Sequence, residues 1–188
     1  MTINQSFNND SYLWDGLKKG DQIAFSSIYS KYFPILFSYG YQLQSDEEVV
    51  KDSIQNLFIS IWKFRQKLSD TDSIKFYLFR CLRREILKEL NRIKKSARLE
   101  IDSEEDSPEE KWIWTESFTR NKETLDVALK SLSPRQSEVI HLRYFQEMDV
   151  DKISLLMGIT AHAVYKLIYR AIATLQKSFR FFETNFCV

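Results

Sequence analysis

The chain has 188 residues, of which 44% are hydrophobic and 28% charged, so it is long enough to bury a core of one large domain or two small ones. Only 4 glycines and 3 prolines interrupt it, which favours long helices with short connections over a turn-rich β architecture. The two cysteines, Cys81 and Cys187, exclude a disulfide framework, and no Cys/His spacing suggests zinc. The first ten residues are polar and lack the apolar stretch of a signal peptide, and no apolar run reaches the ~20 residues of a membrane span. The expectation is a soluble, cytoplasmic, all-α protein.

A net charge of +1 conceals strong segregation. Lys63 to Arg98 holds twelve basic residues and four acidic ones, a net of +8. Glu100 to Glu110 holds seven acidic residues and no basic one. Val127 to Val188 returns to +3, with eight basic and five acidic residues. Such blocks point to separate roles along the chain.

In chain order, Asp21 is placed to cap a helix carrying Ala24, Phe25, Ile28 and Tyr32, after which Pro34 is expected to start a new segment. Ser45 to Glu48 has the S-x-x-E form of a capping box. It opens a helix with Val50, Ile54, Leu57, Phe58 and Ile61 on one face. Ser73 is placed to cap a third helix, with Phe79, Leu82, Ile86 and Leu90 on its buried face. On the other face Arg80, Arg84 and Lys88 recur every fourth residue, flanked by Arg83 and Arg92. A basic stripe near Trp62, Phe64, Phe76 and Tyr77 suits a nucleic-acid strand, because cations hold phosphates while aromatics stack bases. A solvated helix face over a packed aromatic core reads the same residues about as well.

Helical periodicity then lapses from Ser96 to about Glu123, an acidic stretch read as a flexible linker, with Trp112, Ile113 and Trp114 as an apolar island. Ser133-Pro134-Arg135-Gln136 restarts helix with a capping box and proline at the first helical position. From Val150 to Arg170 runs a helix-turn-helix pattern. Gly158 falls ninth, where the interhelix turn needs positive φ. Ile153, Met157, Ile159, Val164 and Leu167 fall where two helices bury apolar groups, and Thr160 is placed to cap the second helix. In this motif the second helix enters the major groove. Its outward candidates are Thr160, Ala161, His162, Tyr165, Lys166 and Tyr169, with Arg170 able to reach a phosphate.

Taken together, Leu132-Ser133-Pro134-Arg135-Gln136, Leu142-Arg143-Tyr144-Phe145, Gly158-Ile159 and Arg170-Ala171 resemble region 4 of sigma factors. Ala24-Phe25, Tyr32-Phe33-Pro34, Asp52, Gln55, Phe58, Trp62, Tyr77-Leu78-Phe79 and Arg83 resemble region 2 of the extracytoplasmic-function (ECF) kind in the sigma-70 family. The resemblance implies two helical domains at residues 10–94 and 125–182, joined by the acidic linker at 95–124. It implies a factor that binds core RNA polymerase, through its β′ and β subunits, and directs it to promoter DNA. Asp52, Gln55 and Asn56 then become polymerase contacts. Arg80, Arg83, Arg84 and Lys88 become contacts to the downstream −10 element, which region 2 and the loop at about 63–73 melt. The helix-turn-helix reads the upstream −35 element. Two departures stand out: Tyr165 and Leu167 where the family often has Lys and Arg, and Arg84 where many relatives have Asn.

Many relatives are held by a membrane-anchored anti-sigma factor, which the resemblance allows here. The aromatic tail, Phe179 to Phe186, is a candidate contact for such a partner. The alternative is a conventional helix-turn-helix regulator that binds duplex DNA as a dimer; a helical interaction protein is a third reading. Catalysis is not expected. The only histidines are His141 and His162, and no nucleophile–base pair, acidic metal cluster, P-loop or dinucleotide-binding glycine pattern is present, so neither metal nor cofactor is implied.

Overall fold

The computed structural model describes the backbone of residues 3–100, 129 and 131–186, and the side chains of residues 10–93, 129 and 131–178. Among the described residues every regular element is helical. The chain divides into two compact units, Met1–Glu105 and Asp106–Val188.

The first unit holds α1 (Ile3–Lys19), α2 (Gln22–Leu43), α3 (Glu47–Lys63) and α4 (Ile74–Glu100). Helix α2 packs against the other three, and α3 also packs on α4. Its core is built by the expected periodicity: Ile28, Val50, Ile54, Phe79, Leu82 and Ile86 are almost completely buried. Tyr39 and Phe79, both fully buried, stack with ring centroids 4.7 Å apart. The α2–α3–α4 contact is close because Gly40 faces α3. A Cβ there would lie 2.7 Å from Val50 Cγ1 and 3.3 Å from Ile86 Cδ1.

Three details differ from expectation. Pro34 lies inside α2 and starts no new segment. An internal proline costs about 3 kcal/mol, but Tyr32 and Leu36 on either side of it and Tyr39 beyond are all buried. Their combined transfer free energy exceeds that cost. The cap of α3 is Asp46, one residue beyond the expected Ser45. Its Oδ1 accepts from the Glu48 and Val49 amides at 2.9 and 3.2 Å. A carboxylate accepts more strongly than a hydroxyl and suits the positive helix end. Thirdly, helix runs past Ser96, where the periodicity lapses in the sequence: α4 continues to Glu100, and at the other end α1 begins at Ile3. The acidic run Glu104-Glu105-Asp106 and the island Trp112-Ile113-Trp114 lie outside the described residues.

The second unit holds α5 (Pro134–Ile140), which widens into one π-type turn over His141–Phe145, then α6 (Val150–Met157) and α7 (Ala161–Phe186). Helix α5 starts with the expected capping box. Ser133 Oγ accepts from the Gln136 amide, and Gln136 Oε1 accepts from the Ser133 amide. Helix α7 packs on both α5 and α6, burying Val139, Leu142, Ile153, Val164 and Ala171 completely.

Candidate functional site

In the second unit the helix-turn-helix forms as the residues dictate. Asp149 caps α6 by accepting from the Lys152 amide at 2.8 Å. Gly158 ends it in the left-handed region at φ 66°, with nothing within 4 Å of the place a Cβ would occupy. Its role is therefore conformational rather than steric. Thr160 Oγ1 then accepts from the Ala163 amide at 3.2 Å and starts α7. Ile153, Met157 and Val164 are buried, while Ile159 and Leu167 are half-buried.

The outward positions of α7 fall into two adjacent stripes. Ala161, Tyr165 and Tyr169 follow one another at four-residue spacing, and His162, Lys166 and Arg170 lie one residue further round. Thr160, His162, Tyr165, Lys166, Tyr169 and Arg170 are exposed, and Ala161 is half-exposed. Helix α7 continues to Phe186, so the aromatic tail is helical in its backbone; its side chains lie outside the described residues.

In the first unit, Ser73 Oγ accepts from the Phe76 amide at 3.2 Å at the start of α4. The basic face of α4 is not uniform. Arg80 and Arg84 are exposed and, among the described residues, have no ion-pair partner. Lys88 is exposed but 3.4 Å from Glu85, and Arg92 is 2.6 Å from Glu89. The Glu89 carboxyl is held below its ordinary range, chiefly through its hydrogen bond to Arg92. Arg83 is half-buried and engaged by neighbours. The charge available to a phosphate is therefore concentrated at Arg80 and Arg84. Beside them the Cys81 thiol is pushed up from its ordinary value by burial. Burial, together with the Cys81 sulfur, pushes Tyr77 up to about 12.

The loop before α4 is held from behind by α1. Trp14 Nε1 donates to the Ser69 carbonyl at 3.0 Å, and Lys18 pairs with Asp70. Trp14 also meets Tyr77 edge-on, centroids 5.1 Å apart. Arg65, in the short turn Arg65–Lys67, lies over the Trp62 ring at 4.6 Å and donates to the Trp62 carbonyl. Phe64, immediately before Arg65, is 48% exposed.

Asp52, Gln55 and Asn56 all lie on the exposed side of α3, opposite Ser53, Ile54, Leu57 and Phe58. Gln55 borders a feature that sequence reading missed, an open apolar groove of about 590 Å³ between α2 and α3. Phe25, Tyr29, Phe58, Ile59 and Trp62 line it. Its sequence signal was a pair of four-residue aromatic spacings, Phe25–Tyr29 and Phe58–Trp62, together with Ile59 on the polar side. Each reads equally well as core until the packing of α2 on α3 leaves Ile59 54% exposed. No group of histidine, cysteine and acidic side chains able to hold a metal occurs among the described residues. Nor is any helix there long and apolar enough to cross a membrane.

Residues 28–96 match the family model for Sigma-70 region 2, and residues 122–175 that for Sigma-70, region 4. No curated protein matches the chain in sequence. Among solved structures, the fold is similar to the sigma factor RpoE of Bartonella quintana, solved with the anti-sigma factor NepR. That match has 18% identity and a TM-score of 0.64 over 83% of this chain and 96% of that one. It is also similar to CnrH, solved with the cytosolic domain of CnrY, at 22% identity and a TM-score of 0.63 over 90% of this chain and 96% of that one. The two sigma-70 regions occur in order and together span more than half of the sequence. The chain belongs to the sigma-70 family of sigma factors and carries regions 2 and 4 of that family.

Proposed function

We propose that this sigma factor binds core RNA polymerase through α3 and directs it to promoters by a division of labour between its two units. One observation carries the reading: a single chain holds both sigma-70 regions, and each region presents an exposed helix face suited to nucleic acid. On α3, Asp52, Gln55 and Asn56 form a polar patch beside the apolar groove, and together they offer a docking face to the polymerase β′ subunit. On α4, Arg80 and Arg84 hold phosphates of the −10 element, with Arg83 and Lys88 in support. Phe64 and the loop at 64–73 receive bases freed from the duplex. Capturing unstacked bases offsets an opening cost of a few kcal/mol per step, so no nucleotide hydrolysis is needed. On α7, residues Thr160 to Arg170 enter the major groove of the −35 element.

Regulation by an anti-sigma factor belongs to the same proposal. Both fold neighbours were solved with such partners or a cytosolic partner domain, and the groove between α2 and α3 offers apolar surface for one. The test is reconstitution with sigma-free core RNA polymerase from the same host. Co-elution and transcripts starting at discrete sites on host DNA are expected. A chain that ignores polymerase yet binds palindromic duplexes as a dimer would instead be a conventional regulator.

A further inference from the structure

The exposed face of α7 has an unusual chemistry for a major-groove reader. Each base offers a distinct edge there. Arginine or lysine pairs with guanine, asparagine or glutamine with adenine, and an acidic side chain with cytosine, while apolar groups meet the thymine C5-methyl. From Thr160 to Tyr169 the chain has no arginine, asparagine, glutamine, aspartate or glutamate. Lys166 is the one side chain of the first three sets. Thr160, Ala161 and Tyr165 belong to the fourth or extend it.

Geometry separates the two kinds of side chain. Residues four apart on a helix lie ~40° apart around the axis and ~6 Å apart along it. Ala161, Tyr165 and Tyr169 therefore make an apolar-aromatic stripe about 12 Å long, the length of three to four stacked base pairs at roughly 3.4 Å each. Tyr165 is 61% and Tyr169 76% exposed, so neither ring is engaged by the core of its unit. Lys166 lies in the neighbouring stripe with His162 and Arg170. A helix docked with its aromatic stripe on the groove floor turns that stripe of cations toward one wall, where the phosphates are.

We infer that the −35 element of this sigma factor is read at thymine methyl groups, by Ala161 and Tyr165 with Tyr169 beyond them, while Lys166 and Arg170 hold the flanking phosphates. The inference rests on the sigma reading given above and names what its upstream site recognises. Tyrosine suits this role because its ring covers a methyl group with two rotatable bonds to immobilise, and its hydroxyl stays wet at the groove edge.

The test uses holoenzyme, the full chain on core polymerase, and promoter fragments randomised in the upstream element. The selected fragments are expected to carry thymine at one or more positions under α7. Replacing such a thymine by 2′-deoxyuridine keeps the base pair and deletes only the methyl. It is expected to weaken binding about three- to fivefold, the scale of one buried methyl. Tyr165→Phe is expected to retain that preference and Tyr165→Ala to lose it. Because Tyr165 is exposed, both variants are expected to fold, which circular dichroism checks. Equal binding of thymine and deoxyuridine fragments overturns the inference, as does a methyl preference that survives in Tyr165→Ala. Failure to form holoenzyme defeats the sigma reading itself; discrete initiation with methyl-indifferent binding defeats only the thymine readout.

Discussion

Trp14 on α1 donates its indole N–H to the carbonyl of Ser69, 55 residues later, across 3.0 Å. The bond joins the first helix to the loop that precedes the basic face of α4. With the Lys18–Asp70 pair it holds that loop at two consecutive residues, 69 and 70. On the function proposed above this loop receives bases, a role that works best when the loop is positioned before DNA arrives, since ordering it on binding would subtract from affinity.

Trp14→Phe keeps a ring in the pocket and removes the donor. The expected loss is about 1 kcal/mol of stability for the hydrogen bond, and somewhat more for the smaller ring. Amide hydrogen exchange over residues 64–73 is expected to quicken, with slower promoter opening and unchanged polymerase affinity. Unchanged exchange in the loop would show that α1 does not hold it.

Gly40→Ala sets two effects against each other. Alanine gains about 1 kcal/mol of helix propensity over glycine. Its methyl would meet Val50 Cγ1 at 2.7 Å, and β-branched Val50 cannot swing clear. Overpacking of this kind costs about 1–3 kcal/mol, so a net loss is expected. Val50→Ala is expected to cost less in the Gly40→Ala background than in the native one. A urea-unfolding double-mutant cycle measures that coupling, and a cycle without coupling would refute the close approach.

The Asp149 cap has a pH signature. Its carboxyl sits below the ordinary value of 3.8, chiefly through the hydrogen bond from the Lys152 amide. Since the folded pKa is the lower one, the stabilisation is complete above the unfolded value. It is lost as pH falls from there through the folded value. Asp149→Ala is expected to cost about 1 kcal/mol at pH 6. Asp149→Asn keeps an acceptor and costs less, and its deficit against the native protein is expected to shrink toward pH 3. A deficit that grows on acidification would contradict the assignment.

Two exposed patches of the first unit are expected to separate in function. Asp52→Ala and Gln55→Ala are expected to weaken polymerase binding by about 1 kcal/mol or more each, with the fold intact. Arg80→Glu with Arg84→Glu is expected to leave polymerase binding in place. It should reduce promoter opening at least about tenfold at moderate salt, since two phosphate contacts become repulsions. Gel filtration with core polymerase and permanganate footprinting of the promoter distinguish the two outcomes. Normal opening by the double variant would remove α4 from the DNA-contacting surface.

Local pattern was enough to determine much of this protein. The helix-turn-helix was legible because Gly158, Thr160 and the apolar spacing around them encode a turn and two faces within one short stretch. The capping box at Ser133–Gln136 and the buried stripe of α3 are equally local. Other features depended on packing between residues far apart in sequence. Pro34 stays within a helix because the chain on both sides of it is buried, which no window around a proline reveals. Which cations remain available was likewise decided by neighbours: Lys88 and Arg92 are occupied by Glu85 and Glu89, whereas Arg80 and Arg84 have no ion-pair partner among the described residues. The groove beside Gln55 exists only because α2 and α3 leave Ile59 and the edges of Phe25, Tyr29 and Trp62 uncovered. Periodicity assigns a residue to a face, but only the tertiary contacts decide whether that face meets another helix or is left for a partner.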